Sequence, residues 1–131
     1  MAQKESINSL ISLQNQKYIS IITFSKVGNA VPTPVWFVEK KSKIFVATGG
    51  DTYKVKRIRK NSNVQIAPCT RAGKVNVEYF EATGRILREN GNSPILMLFR
   101  KKYRLFRLMI YFADLRKKKE AKHVYLEITP N

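Results

Sequence analysis

Cysteine and histidine are nearly missing from this chain: Cys69 is the sole thiol and His123 the sole imidazole among 131 residues. One cysteine leaves no internal disulfide framework and suits a reducing compartment, so the expected localisation is cytoplasmic. One histidine excludes a multi-histidine metal centre and a zinc finger, and no metal site is expected. Cys69 paired with His123 as a nucleophile is conceivable, but both lie in strand-like runs where plain packing is the better reading. Acidic residues are scarce too. Nine Asp and Glu stand against 25 Lys and Arg, a net charge of +16. Such a field attracts polyanions, whether nucleic acid, an acidic membrane surface or an anionic cofactor; a solvated face that favours solubility is the bland alternative. No apolar run reaches the roughly 18 residues that would read as a transmembrane segment. Residues 1–9 are polar and lack the apolar centre of a signal peptide. What remains is an ordinary globular composition, with 44% hydrophobic residues and a length that suits one domain over 1–131.

Taken in order, residues 6–14 read as a short amphipathic helix, with Ser6 as cap and Ile7, Leu10 and Ile11 as its stripe. Residues 18–24 (YISIITF) are β-branched and aromatic, hence a strand, and Lys26-Val27-Gly28-Asn29 is hairpin chemistry. Residues 30–39 form the second expected strand. Pro32 and Pro34 inside it argue for a sheet edge, a bulge, or a place where a ligand replaces a neighbouring strand. Residues 44–48 make a third strand and 64–67 a fourth. Residues 70–74 are a loop, and 75–87 alternate well enough for a long fifth strand, with Gly84 marking a bend or bulge. Ser93-Pro94 opens a helix with cap and first-turn proline in their favoured places. One kinked helix or two successive helices follow over 95–112, and 124–128 is the last strand. The expected fold is mainly β (α+β), a small barrel of about six strands with flanking helices.

Residues 46–69, VATGGDTYKVKRIRKNSNVQIAPC, organise the rest. A strand ends in the turn Gly49-Gly50-Asp51, Thr52 caps a short helix carrying Lys54, Lys56, Arg57, Arg59 and Lys60, and Asn61 to Asn63 stop it. A hydroxyl, free amides and several cations at a helix start suit a phosphate. Solvated cations around buried Val55 and Ile58 are the competing reading.

Together with Thr33-Pro34-Val35-Trp36-Phe37, this stretch resembles the pyridoxamine 5'-phosphate oxidase-like split β-barrel superfamily, and within it the deazaflavin (coenzyme F-420)-dependent branch. That branch shows T-P-V-W-F, a strand ending in Thr, S-x-K-x-K-R-I-R-x-N-P, and a strand with A-P-C. Here Thr52-Tyr53-Lys54 stands for S-x-K, Lys56 to Asn61 follows in register, and Ser62 replaces the proline. The match in order runs from Tyr18 to about Cys69.

The resemblance implies an oxidoreductase that transfers hydride between coenzyme F-420, or alternatively FMN, and a small organic acceptor. It implies a homodimer with the cofactor at the interface. It gives Lys54 the cofactor phosphate with Thr52 as hydroxyl donor and Lys56 and Arg57 as helpers. The backbone of Thr33, Pro34, Val35 and Trp36 would line the ring, with Pro34 and Val35 in contact and Trp36 either near the site or in the core; Ala47 and Thr48 would meet the ribityl chain, and Pro68 would lie near the same mouth. Asp51 is a departure, since a carboxylate beside a phosphate weakens binding unless it points away or pairs with Arg57. No catalytic acid is nominated; Tyr79 and Tyr53 are weak candidates for a proton donor. Haem, which relatives on this barrel bind, is a third ligand, with His123 poorly placed as an axial residue. The other class of function is a non-enzymatic flavin- or haem-binding module, or a nucleic-acid binder. That binder would use the basic residues of 100–107 and 116–122, with Phe99, Tyr103, Phe106 and Tyr111 interleaved among Arg and Lys of this region; a solvated face, a site for the cofactor's glutamyl tail or an anionic substrate, and a membrane-surface contact are its other readings.

Overall fold

The computed structural model describes residues 13–49, 52–87, 94–103 and 123–131. Its first element, β1 (Tyr18–Phe24), forms over the expected residues, and Gly28 at φ +86° closes the turn that follows by donating to the Ser25 carbonyl at 2.9 Å. β2 (Ala30–Val35) returns antiparallel to β1, from Phe24 opposite Ala30 to Ile19 opposite Val35. The chain then leaves the ladder at Trp36 and Phe37 and starts β3 (Val38–Lys40), which hairpins into β4 (Lys43–Gly49). The single strand expected over 30–39 is therefore two. This raises the strand count from about six to seven, in the order β2-β1-β5-β6-β7-β4-β3.

That order forces curvature. Seven strands laid flat would put the two edges about 29 Å apart, six gaps of about 4.8 Å. Yet β2 and β3 occupy those edges, and Val35 and Val38 are three residues apart in the chain, a reach of about 11 Å at most. The sheet must roll until its edges approach. Because β2 and β3 do not pair, the barrel stays split along that seam.

Helix α1 (Tyr53–Lys60) follows β4. Val55 and Ile58, three apart on one face, are buried against the sheet, and Arg57, Arg59 and Lys60 in the last turn suit the negative end of the helix. Asn61 ends it by donating to the Arg57 carbonyl at 2.8 Å. β5 (Asn63–Cys69) pairs with β1, and β6 (Phe80–Leu87) pairs with β5 and β7. The strand expected from residue 75 begins only at Phe80, because β5–β6 pairing stops at Ile66 opposite Phe80; Val77, 55% exposed, has no sheet to enter. Of the bend or bulge expected at Gly84, no bulge forms, since the β6–β7 register runs unbroken through it. Gly84 faces α1, where a Cβ would lie 3.5 Å from Ile58 Cγ2, an ordinary van der Waals contact. Helix α2 (Pro94–Lys102) opens on its proline as expected, and β7 (His123–Pro130) closes the sheet between β6 and β4. The helix expected over 6–14 falls mostly outside the described residues, with 13–15 in a turn, as does everything expected over 104–122.

Two apolar layers result. Ile19, Ile21, Ile44, Val46, Val64, Ile66, Leu126 and Ile128 fill the barrel with Phe37, Val55 and Ile58. Outside it, Ile95, Phe99 and Tyr103 pack on Val38, Phe45 and Tyr125, with Trp36, Ala47 and Leu87 at the margin. Strand alternation explains the division, for Phe45 and Ala47 point outward between inward Ile44, Val46 and Thr48.

Candidate functional site: a cationic shelf beside an open strand edge

Thr48 ends the inward row of β4 and is buried, and its hydroxyl lies 3.4 Å from that of Thr52. Thr52 stands at the cap position with extended backbone (φ −73°, ψ 157°), but its side chain does not cap the helix. The first turn of α1 carries no acidic residue. An anion there would meet the positive end of the helix with no carboxylate from that turn opposing it.

Three of the five cations of this helix bear on the site, and they divide between two faces. Lys54 and Arg57 are three apart on one side and both half-buried. Lys56 is exposed and leans over Tyr53, its ammonium 5.2 Å from the ring centroid; Tyr53 is itself 74% exposed. Lys54 has no hydrogen bond or ion pair among the described residues. Burial lowers its pKa, and the neighbouring Arg57 charge lowers it further. Arg57 donates from Nε to the Thr23 hydroxyl at 2.6 Å. Lys54 is thus a cation held out of water beside another cation, an arrangement that an incoming anion stabilises.

Thr23 links this shelf to the sheet edge. It pairs with Val31 on β2, and Thr33 and Val35 follow on the same face, opposite Ile21 and Ile19. Pro68 of β5 also lies opposite Ile19, so Val35 and Pro68 flank it. Pro34 sits on the other face of β2, where Gly73 approaches it. Pro32 and Pro34 do lie in an edge strand, the one place a sheet accommodates two missing amides.

Trp36 is not on this face. It stacks on Tyr103 with centroids 4.6 Å apart, in the layer under α2. Ala47 likewise faces that outer layer, away from Thr48. The expected set therefore divides into Thr48, Thr52, Lys54 and Arg57 around the start of α1, Thr33, Val35 and Pro68 along the inner face by β2, and Pro34, Trp36, Ala47 and Lys56 turned elsewhere.

Other expectations are corrected. Cys69 and His123 cannot pair, because register puts Cys69 past the Phe80 end of β6 and His123 past its Leu87 end. Cys69 is buried, which raises its thiol pKa. Phe99 and Tyr103, read as aromatics on a basic face, are core residues, at 0% and 6% exposure. Tyr79 donates to Ser20 at 2.8 Å and is committed to closing the loop over β1. Asp51, Phe106 and Tyr111 lie outside the described residues.

Two features were missed. Thr23 was legible as a polar residue in an inward row otherwise made of Ile19 and Ile21. The second is the joint where α2 grips the crossover between the sheet edges. There the Tyr103 hydroxyl accepts from the Phe37 amide at 3.0 Å and shares its own proton between the carbonyls of Phe37 at 2.7 Å and Lys17 at 2.9 Å. Burial pushes its pKa up to about 12. Lys102 is exposed along most of its length, yet its ammonium rests 3.5 Å from the Phe37 ring centroid and donates to the Phe37 carbonyl at 3.0 Å. Burial lowers its pKa to about 8 against the opposing pull of Glu39, whose own carboxyl burial raises.

This architecture is the split β-barrel of pyridoxamine 5'-phosphate oxidase-like, FMN-binding proteins. Among solved structures, an F420 reductase is 17% identical with TM-score 0.62, over 92% of this chain and 91% of that one. A pyridoxamine 5'-phosphate oxidase-related, FMN-binding protein from Nostoc punctiforme is 12% identical with TM-score 0.61, over 98% and 78%. A haem storage protein from Vibrio cholerae is 14% identical with TM-score 0.62, over 100% and 92%. At these identities the likeness is one of fold. No family model and no curated protein matches the chain.

Proposed function

We propose that this chain is a flavin-type oxidoreductase that binds coenzyme F-420, with FMN as the alternative, and reduces a small organic acceptor as a homodimer in the cytoplasm. One observation carries the reading: Lys54 is half-buried, lacks an anionic partner among the described residues, and sits one helical turn from an Arg57 already anchored by Thr23. A cofactor phosphate would accept hydrogen bonds from both. The net charge of +16 favours the deazaflavin, whose glutamyl tail adds carboxylates to its phosphate.

The residues present suit such a ligand. Thr48 and Thr52 offer hydroxyls beside the cations, and the ring would lie along the open edge of β2, past Thr33 and Val35 toward Pro68. When bound, the cofactor supplies hydride chemistry at its ring. The protein holds the phosphate, orients the ring against the edge strand and excludes water from that face.

Titration with F-420 and, separately, FMN at moderate salt, followed by ring fluorescence, tests the reading. Wild-type protein should bind in the micromolar range, and Lys54→Ala should weaken binding by about 1.5–3 kcal/mol, the scale of a charge-assisted hydrogen bond. Equal affinity in the variant removes Lys54 from the site. A nucleic-acid binder would instead lose affinity steeply with salt. Burial of Phe99 and Tyr103 also withdraws two of the aromatics that such a role would use.

A further inference from the structure

Thr23 is buried to 1% exposure at the end of an apolar inward row, and its hydroxyl takes a 2.6 Å hydrogen bond from Arg57 Nε. Among the described residues this is the only hydrogen bond Arg57 makes through its side chain. Using Nε leaves both terminal nitrogens, with their four N–H groups in one plane, without a hydrogen bond among the described residues, and the Arg57 charge is near enough to Lys54 to lower its pKa. A free arginine side chain samples many rotamers, and each bond it forms to a ligand requires that freedom to be given up. Here the plane is set in advance by a buried hydroxyl on the strand that also carries β2.

We propose that Thr23 is a positioning residue: it fixes the Arg57 guanidinium so that its terminal nitrogens and Lys54 face one phosphate group together. This rests on the phosphate-ester cofactor reading above and adds to it a residue that touches no ligand. Among the described residues, the strand rows facing the pair carry no ionisable side chain. The neighbouring rows of β1 and β6 present Ile19, Ile21, Ala82, Gly84 and Ile86, and Thr48 ends that of β4. Glu81 is exposed and bonded to Gln65, and Arg85 pairs with Glu127.

The test is a double-mutant cycle on cofactor affinity with Thr23→Val, Arg57→Ala and the pair, using whichever of F-420 and FMN the wild type binds. Thr23→Val keeps the shape and removes the acceptor, so affinity should fall about fivefold, the worth of one ordinary hydrogen bond. Thr23→Ser, which restores a hydroxyl, should recover it. In the Arg57→Ala background, Thr23→Val should cost nothing more, because its effect passes through the missing guanidinium. Riboflavin, which has the ring and ribityl chain of FMN without the phosphate, should show the same affinity for wild type and Thr23→Val in an FMN-binding protein. Thermal unfolding of each variant separates loss of fold from loss of positioning. Additive effects in the cycle, or a Thr23→Ser variant no better than Thr23→Val, overturn the inference while leaving the cofactor reading in place. A wild type that binds neither cofactor overturns both.

Discussion

Replacing Tyr103 with Phe removes one oxygen from the joint between α2 and the crossover and leaves the ring stack on Trp36 in place. The oxygen accepts from the amide of Phe37, a residue with no exposed surface, and its proton serves the carbonyls of Phe37 and Lys17. Lys102 still donates to the Phe37 carbonyl, so that acceptor is not orphaned. The Phe37 amide is orphaned. A buried unpaired donor costs about 1–3 kcal/mol and the lost donation to Lys17 about 1 kcal/mol more, giving roughly 2–4 kcal/mol in all. Unfolding entropy near 2.1 cal/mol/K per residue converts this, for a chain of this length, to a fall in Tm of about 7–14 °C. Circular dichroism melts and urea titrations read both quantities. A loss below about 1 kcal/mol would refute the claim that this hydroxyl fastens the crossover, because water or a shifted backbone would then be serving the amide equally well.

Lys102 gives a pH signature at the same joint. Its folded pKa of about 8 lies below the unfolded value, so the unfolded chain binds more protons between about pH 8 and 10 and stability rises with pH across that window. Urea unfolding at pH 7.5 and 9.5 should show wild type gaining on the order of 1 kcal/mol relative to Lys102→Met, after discounting for solvent screening; a constant difference refutes it. Lys54→Met should stabilise the ligand-free protein by about 0.5–1 kcal/mol while lowering cofactor affinity, since it removes a desolvated cation that has no partner among the described residues. A thermal melt showing lost stability counts against that reading of Lys54. At Gly84 a methyl fits at 3.5 Å from Ile58, so Gly84→Ala should stay within about 0.5 kcal/mol of wild type. Gly84→Leu should cost about 1–3 kcal/mol and weaken cofactor binding by lifting α1; equal stability of the two variants would deny the close approach.

Local chemistry made part of this fold legible. The β-branched run Tyr18–Phe24, the Gly28 turn and the helix Tyr53–Lys60 formed as expected because neighbours in sequence decide them. The break at Trp36 and Phe37 did not show, since nothing within residues 30–39 reveals that its two halves belong to opposite edges of one sheet. The strand over 75–87 was overextended because alternation alone cannot tell where β5 ceases to offer a partner. The site divided in the same way. Lys54 and Arg57 were nominated through the resemblance carried by Thr52-Tyr53-Lys54 and Lys56 to Asn61, while Thr23, 34 residues from Arg57, carried only the faint signal of polarity in an apolar row. The joint at Tyr103 spans 66 and 86 residues to its partners, so its long-range geometry left no periodic trace.

The position of β7 has a bearing on how the barrel assembles. β2, β1, β5 and β6 form one ladder and β4 with β3 another, and the only strand pairing with both is β7, the last of the seven in sequence. Until residues 123–130 are in place, the rolled sheet consists of two pieces tethered by the crossover and by α1. Both hold half-covered apolar faces, and the β6 and β4 edges that β7 will occupy remain unsatisfied. Closure is therefore a late, long-range event, and its speed is governed by loop entropy more than by local propensity. The interval before it is when this chain most needs its positive charge, because mutual repulsion keeps unfinished molecules from pairing those edges with each other.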